Sequence, residues 1–106
     1  MSVVVIATLE ALPGCRDKVL DVVSRLAPDV HAEQGCHLYA PHTSGKDNVV
    51  LLEHWADKKA LAAHAAGPQM VAFNSAVSEL LTGTPRIQVL RPAPAGQAER
   101  GALEPR

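Results

Sequence analysis

The sequence predicts a single α+β domain of the ferredoxin-like class, in which a four-stranded sheet carries its helices on one face. The first observation is the order of the predicted elements, β-α-β-β-α-(α)-β, which is the split β-α-β arrangement. The second is the composition, 47% apolar and 20% charged, which is typical of a globular protein. The third is the length of 106 residues, which suits one hydrophobic core and one domain.

The first predicted strand, Val3–Leu12, is rich in β-branched residues and apolar on both of its faces. Its residues alternate between two sets: Val3, Val5, Ala7 and Leu9 on one face, and Val4, Ile6 and Thr8 on the other. The helices of such a fold cover only one face of the sheet. The second face would expose a large apolar patch to water, which soluble monomers rarely tolerate. We therefore expect a homodimer in which two sheets pack face to face.

A helix and a hairpin follow the first strand. After a Pro-Gly pair, apolar residues recur at helical spacing and predict an amphipathic helix over Arg16–Glu33, with Pro28 bending its last turns. Two segments of alternating polarity, Gly35–Ser44 and Asn48–Ala56, then predict a pair of strands. The intervening run SGKDN is typical of a hairpin turn, so these strands are expected to be neighbours.

Two helices and a last strand complete the predicted domain. Asp57 is a good N-cap for a short helix over Lys58–Ala66. Pro68 suits the first turn of a second helix, which is expected to end at Gly83, and Ile87–Leu90 predicts the last strand. The domain therefore spans residues 1–92. Residues 93–106 have no apolar periodicity and are expected to form a flexible C-terminal tail.

Charge and motif content exclude several classes of function. A net charge of -1 without a basic run gives no electrostatic footprint for nucleic acid. The sequence has neither an apolar run long enough to span a membrane nor a secretory signal, so we expect a cytoplasmic protein without membrane contact. His31, His37 and His42 lack metal-site spacing, and Cys15 and Cys36 form no CxxC pair. Cofactor-binding motifs are missing as well, so neither a metal nor a cofactor is expected.

Several candidate pocket residues lie on the second and third predicted strands. Strand alternation puts Glu53 and Trp55 on one face of the third strand and His54 on the other, without deciding which face meets the helices. By the same alternation, His37 and Tyr39 are expected to share a face of the second strand. These five side chains are therefore candidates for substrate contacts.

Further candidates lie on the last two predicted helices. His64 follows Leu61 at helical spacing, so it is expected on the apolar side of its helix, leaning towards the sheet. On the next helix, Asn74 adjoins Phe73 and follows Met70 by four residues, which places an amide at the margin of the buried stripe. The residues thus predict an apolar pocket between sheet and helices with a few polar groups in its wall.

Each of these residues also has a purely structural interpretation. His64 would then be a semi-buried histidine that bonds a backbone carbonyl. Trp55 would be a core residue whose N–H donates to Glu53 or to a carbonyl, because large aromatic side chains dominate small cores. Met70 and Phe73 are core residues first and pocket residues second. The residue pattern alone leaves both interpretations open.

Two runs of sequence resemble a known family. They are EQGCHLYAP, from Glu33 to Pro41, and EHWADKKALAAHAAGP, from Glu53 to Pro68. Both resemble the antibiotic biosynthesis monooxygenase family, and within it the quinol monooxygenases. The resemblance covers roughly Val3 to Pro92. It implies a dimeric ferredoxin-like α/β barrel, with one pocket in each subunit between sheet and helices.

The resemblance also implies an activity, the oxygenation of a quinol or polyphenol by dioxygen without flavin, haem or metal. In such chemistry the enzyme removes a phenolic proton, and the electron-rich anion reacts with dioxygen. His64 is the candidate base, because a histidine exchanges protons near neutral pH, and Asn74 is a second catalytic candidate. The remaining candidates would bind substrate: Trp55, Glu53, His37, Tyr39, His54, Met70 and Phe73.

Other functions occur on the same fold, so alternatives stay open. A dimeric ligand-binding or stress-response module would keep the pocket without turnover. A small-molecule isomerase would use the same pocket for a different reaction. Oxygen uptake by the metal-free protein in the presence of hydroquinones separates the first function from these alternatives.

Overall fold

The computed structural model describes residues 1–103, which form four strands and three helices. In chain order the elements are β1 (Val3–Glu10), α1 (Arg16–His31), β2 (Cys36–Ser44), β3 (Asn48–Trp55), α2 (Lys58–Ala65), α3 (Pro68–Val77) and β4 (Arg86–Leu90). The sheet order is β2-β3-β1-β4, and every neighbouring pair is antiparallel. This topology confirms the predicted ferredoxin-like α+β fold.

The two faces of the sheet are packed differently. On β1, burial alternates strictly, with Val3, Val5, Ala7 and Leu9 buried and Val4, Ile6 and Thr8 only half-buried. The buried set packs with apolar residues of α1 such as Val19, Val23 and Val30. We call the face with the buried set the covered face and the face with Val4, Ile6 and Thr8 the open face. The alternation of side chains along β1 thus places the hydrophobic core on one face of the sheet.

The last strand lies at an edge that no helix covers. Ile87 pairs with Ala7 and Val89 with Val5, so both side chains point to the covered side of the sheet. Each is nevertheless 57% exposed. The helical layer therefore ends before β4 and leaves an apolar rim there.

The first helix ends earlier than the apolar periodicity predicts. It runs through Pro28 and stops at His31, whereas the sequence predicted an end at Glu33. The N–H of Glu33 donates to the carbonyl of Val30, and this turn takes Glu33 out of the helix. Glu33 is then free to point across the fold towards α2. The other predicted bounds, except that of α3, differ by one or two residues.

The third helix also ends early, at Val77 and not at Gly83 as predicted. Backbone pairing with the chain beyond β1 is the physical reason. The N–H of Leu12 donates to the carbonyl of Leu80, and that of Thr82 donates to the carbonyl of Glu10. Residues 80–82 thus bond the chain at the end of β1, and Leu81 forms an antiparallel bridge with Ala11 there.

A bulge in β2 corrects the predicted orientation of His37. The register shifts between Cys36, which pairs with Trp55, and Leu38, which pairs with His54. His37 is the extra residue, and its ring lies 5.1 Å from that of His54, centroid to centroid. The prediction that His37 and Tyr39 share a face is therefore wrong, because a bulge inverts the alternation on one side of it.

The segment after residue 92 contains no helix or strand as far as residue 103. It makes a turn in which the N–H of Gly101 donates to the carbonyl of Gln97. Leu103 and Pro94 lie with Val4 and His54 around a cavity of about 700 Å³ on the open face. Residues 104–106 of the predicted tail lie outside the described residues, and the flexibility of the tail stays a prediction.

The helices within residues 1–103 lack the character of membrane spans. None of the three combines the length and the apolar composition needed to cross a bilayer. The longest, α1, has 16 residues and is amphipathic, with exposed charged residues on its outer side.

The turn between α1 and β2 requires glycine at one position. Gly35 has a φ of +84°, in the left-handed region, and its carbonyl accepts a hydrogen bond from the N–H of Ala56. A Cβ on Gly35 would lie 2.6 Å from the Cβ of Ala60. The turn is therefore held tightly against the start of α2, only two residues after Glu33.

We expect Gly35→Ala to destabilise the protein by about 2 kcal/mol or more, because it adds a steric clash to the cost of positive φ. For a domain of this size, that lowers the melting temperature by roughly 10 °C. Gly14→Ala is the matched control, since Gly14 has a similar φ of +81° but open space around it. Thermal unfolding of both variants checks this. Equal losses for the two would show that the contact with Ala60 is unimportant.

Candidate active site

A cavity of about 150 Å³ lies between the covered face and the last two helices. Its floor and walls are mostly apolar: Val5, Ala7, Leu9, Leu51, Leu61, Ala65, Met70, Phe73, Pro85 and Ile87. Four polar side chains also line it, namely Tyr39, Glu53, His64 and Asn74. The mouth lies among the exposed lining residues, which include Ile87 of β4 and Asn74 of α3. A small apolar cavity with a few converging polar groups is the usual form of a ligand site.

The position of His64 follows from the local sequence of α2. The Asp57 side chain accepts a hydrogen bond of 2.8 Å from the N–H of Ala60 and so fixes the start of the helix. His64 then falls in the last turn on the side that faces the sheet. Its side chain is buried, with 4% exposure, as its spacing from Leu61 predicted.

The imidazole of His64 is held by a carboxylate. Its Nδ1 lies 3.0 Å from Oε1 and 3.2 Å from Oε2 of Glu33. Since a carboxylate only accepts hydrogen bonds, Nδ1 is the nitrogen that carries the hydrogen and donates it. Within residues 1–103, the hydrogen bonds of the His64 side chain are both made by Nδ1. The ring is thus fixed in the tautomer that leaves Nε2 as a basic nitrogen for a ligand.

Two aromatic rings enclose the imidazole. The Trp55 ring lies 4.5 Å from it at an interplanar angle of 30°, and the Tyr39 ring lies 5.8 Å from it, edge to face. Trp55 has no exposed surface, and its Nε1–H donates to Oε1 of Glu53 over 3.0 Å. Of the two acceptors predicted for the Trp55 N–H, Glu53 and a backbone carbonyl, the structure shows Glu53. These contacts leave His64 little freedom to change rotamer.

Burial changes the proton affinity of two groups in the wall. It raises the pKa of the Glu53 carboxyl, an effect opposed by the Trp55 hydrogen bond and by His64 and reinforced by Glu33. Burial also raises the pKa of the Tyr39 phenol well above its ordinary value, with Glu53 and Glu33 adding to the rise. Tyr39 therefore keeps its hydrogen at neutral pH and acts as a hydrogen-bond donor.

The structure brings most of the predicted site residues together. Six of them line the cavity: Glu53, Tyr39, His64, Met70, Phe73 and Asn74. Trp55 lies directly behind His64, where it supports the ring. His37 and His54 do not line this cavity, because they contact each other on the open face. Asn74 is exposed at the mouth, which agrees with its predicted place at the margin of the buried stripe.

Sequence reasoning missed Glu33 as a member of the site. The apolar periodicity of α1 ran on to this residue, so it was assigned to the end of a helix. A signal was present, since Gly35 favours a turn two residues after Glu33. Among residues 1–103, no group of three or more His, Cys, Asp or Glu side chains is placed to hold a metal ion.

Comparisons with known proteins agree with this architecture. The family model described as "Antibiotic biosynthesis monooxygenase" matches residues 2–76. The chain is 35% identical over 85 residues to "Probable quinol monooxygenase YgiN" of Escherichia coli, which covers 69% of this chain and 82% of that protein. It is 30% identical over 91 residues to "Putative monooxygenase Rv0793" of Mycobacterium tuberculosis, with 85% and 90% covered.

Solved structures give the same result. The structure of Rv0793 superposes with a TM-score of 0.82 at 28% identity and covers 92% of this chain and 100% of that one. A Caulobacter crescentus protein described as a putative antibiotic biosynthesis monooxygenase gives a TM-score of 0.78 at 28% identity, with 84% and 87% covered. The resemblance seen in the sequence is confirmed, and the chain belongs to the antibiotic biosynthesis monooxygenase family.

Proposed function

We propose that the protein is a monooxygenase that oxidises a quinol or related phenol with dioxygen and requires no cofactor. The observation that carries this proposal is the buried His64, with Nδ1 bonded to Glu33, in the wall of an apolar cavity. Such an imidazole is a suitable base for an acidic hydroxyl group. The name of the Escherichia coli relative, a quinol monooxygenase, supports the same substrate class.

Proton removal is the first step of the proposed reaction. Nε2 of His64 accepts the phenolic proton of the substrate, and the imidazolium that forms is stabilised by the carboxylate of Glu33 at Nδ1. Charge-assisted hydrogen bonds of this kind are stronger than neutral ones in a buried site. Glu33 is therefore a positioning residue, which acts on the substrate through His64.

Oxygen insertion follows on the quinol anion. The anion transfers an electron to dioxygen, and the two radicals combine at a ring carbon to give a peroxide anion. This anion takes the proton back from the His64 imidazolium and becomes a hydroperoxide. Loss of water from the hydroperoxide leaves a hydroxyquinone, so one quinol and one dioxygen give one hydroxyquinone and one water. The substrate supplies all the electrons that reduce dioxygen. The apolar walls exclude water and so favour the reaction of the anion inside the cavity.

Other wall residues would hold the substrate during these steps. The Tyr39 hydroxyl keeps its hydrogen because its pKa is raised, so it donates to a substrate oxygen and does not compete with His64 as a base. Asn74 offers an amide at the mouth of the cavity for a second oxygen. Met70 and Phe73 contact the ring from the side of α3.

We further propose that two copies form a homodimer through their open faces. Along β3 and β1 this face presents Val50, Leu52, Val4 and Ile6, all half-buried in the single chain. Burial of apolar surface contributes about 25 cal/mol per Å². Because the catalytic cavity lies on the covered side, pairing through the open face leaves its mouth accessible.

Substitution of His64 tests the proposed base. We expect His64→Ala to lower kcat for oxygen uptake with hydroquinone by about 10²-fold or more, since general-base catalysis contributes roughly 10² to 10⁴. Glu33→Gln should lower kcat by a smaller factor, because it keeps a partner for Nδ1 but removes the charge. His42→Ala, at an exposed histidine of the hairpin, is the control and should retain full activity.

Thermal unfolding of the same preparations separates catalysis from folding. A well-folded His64→Ala variant with unchanged turnover would remove His64 from the mechanism. Absence of turnover by the unmodified protein with every quinol in a panel would contradict the proposed activity and favour the ligand-binding alternative.

Glu53 should make stability depend on pH. Its folded-state pKa is raised above the ordinary value, which the group has in the unfolded chain. The stability that Glu53 contributes is therefore fully present below the ordinary pKa and is lost as the pH rises through the folded-state pKa. Glu53→Gln keeps an acceptor for the Trp55 N–H but cannot ionise. We expect this variant to be more stable than the parent protein at pH 8 and to lack this loss. Urea unfolding across the pH range checks this, with the exposed Glu79→Gln as control. Parallel pH profiles for parent and Glu53→Gln would contradict it.

Two neighbouring substitutions on β1 test the dimer. Ile6→Asp places a charge on the open face and should give a folded monomer. Val5→Asp buries the same charge under the helices and should unfold the protein, because an unpaired buried charge costs several kcal/mol. Sedimentation equilibrium and circular dichroism distinguish these outcomes. An unmodified protein that stays monomeric at micromolar concentration would refute the dimer.

A further inference from the structure

The last step of the proposed reaction needs a proton donor that the first step does not. When the hydroperoxide loses water, a base takes the hydrogen from the ring carbon, the O–O bond breaks, and the departing oxygen receives a proton. His64 has by then returned its proton and is the base again, so it cannot also be the donor. Water is a poor acid at neutral pH, so a fast step requires a second group in the cavity wall.

Glu53 lies in the wall where such a donor would act. The strand register places it between Val5 of β1 and Tyr39 of β2. Its side chain is only 5% exposed, and it lines the cavity together with His64. A carboxyl group on the floor of an otherwise apolar cavity is placed to meet a ligand that His64 also contacts.

Trp55 anchors this carboxyl through one of its two oxygens. Within residues 1–103, the hydrogen bond of the Glu53 side chain is made by Oε1, which accepts the Trp55 N–H over 3.0 Å. Oε2 is left to carry a hydrogen. The Trp55 ring also lies 4.5 Å from the imidazole of His64, so both side chains are held by the same aromatic residue. The two groups therefore act on the same part of the cavity.

Glu53 is also the best acid among the residues that line the cavity. A phenol is a far weaker acid than a carboxyl group, and burial raises the pKa of Tyr39 further. The amide of Asn74 does not release a proton. Burial raises the pKa of the Glu53 carboxyl as well, although His64 and the Trp55 hydrogen bond oppose the rise. A carboxyl group with a raised pKa lies nearer to the neutral range, where an acid catalyst is most effective.

We propose that Glu53 is the general acid of the reaction and gives its proton to the oxygen that leaves as water. This role rests on the proposed function, since it completes the reaction of the same site. Nε2 of His64 takes the hydrogen of the ring carbon, which becomes a carbonyl as the O–O bond breaks, and Oε2 of Glu53 protonates the departing hydroxide. The water formed then carries the proton from His64 back to Glu53, which restores both groups.

The same hydroperoxide has a second way to decompose. If the departing oxygen receives no proton, the enolate form of the ring expels the whole hydroperoxide anion. One quinol and one dioxygen then give one quinone and one hydrogen peroxide, and no oxygen is inserted. The ratio of hydroxyquinone to quinone therefore reports whether the acid is present.

Product analysis of Glu53→Gln tests this role. The protein is mixed without oxygen with less than one equivalent of hydroquinone, oxygenated buffer is added, and the products are separated after one turnover. Glutamine keeps an acceptor for the Trp55 N–H but supplies no proton. We expect oxygen uptake to continue and the ratio of hydroxyquinone to quinone to fall about 10²-fold or more, because general-acid catalysis contributes roughly 10² to 10⁴. Hydrogen peroxide should rise in step with quinone.

Two further variants separate an acid from a structural residue. Glu53→Asp keeps a carboxyl group on a shorter side chain, and we expect a product ratio at least about tenfold above that of Glu53→Gln. Glu79→Gln, at an exposed position after α3 and outside the cavity, is the matched control and should keep the ratio of the unmodified protein. Thermal unfolding of each preparation shows that the folded variants are compared.

An unchanged product ratio in folded Glu53→Gln, with normal oxygen uptake, would overturn the role of Glu53 and leave the proposed function intact. Loss of oxygen uptake itself in this variant would place Glu53 before the oxygen step and would also overturn its role as the acid. Failure of the proposed function has a different signature. In that case the unmodified protein consumes no oxygen with hydroquinone, or it yields only quinone and hydrogen peroxide, and both proposals fall.

Discussion

The hydrogen bond between Glu33 and His64 is the interaction on which the candidate site depends. It joins residues 31 positions apart, one beyond the end of α1 and one in the last turn of α2. Gly35 makes this approach possible, because its left-handed turn brings the chain against Ala60. The same bond fixes the imidazole tautomer, so a contact between the turn after α1 and the helix α2 also determines which nitrogen meets a ligand.

A one-sided helical layer determines where the cavity lies. The helices bury the covered face of β1 and β3 but stop before β4, where Ile87 and Val89 remain exposed. The cavity forms at that boundary, with the sheet as its floor and α2 and α3 as its sides. The open face is left with half-buried apolar residues and with His37 and His54. The sheet itself thus separates the proposed catalytic cavity from the proposed dimer face.

Local sequence patterns predicted most of the fold, and non-local contacts account for the differences. Strand alternation and Gly or Pro at element ends act over a few residues, so all four strands and three helices were predicted. The early end of α3 depends on Leu80 and Thr82 pairing with the end of β1, which periodicity does not show. The bulge at His37 likewise depends on pairing with β3, and it places His37 on the face opposite to that of Tyr39. In the site, the position of His64 and the shared face of Trp55 and Glu53 followed from spacing, whereas the contact of Glu33 with His64 depends on the turn after α1.

The protonation state of the two imidazole nitrogens of His64 tests the central claim most directly. Long-range ¹H–¹⁵N correlation spectra distinguish a protonated ring nitrogen from an unprotonated one. At a pH where the ring is neutral, the Glu33 contact predicts hydrogen on Nδ1 and none on Nε2, and it predicts that the Nε2 signal moves when hydroquinone is added without oxygen. Hydrogen on Nε2, with Nδ1 unprotonated and no response to the ligand, would contradict the role of His64 as a base oriented by Glu33.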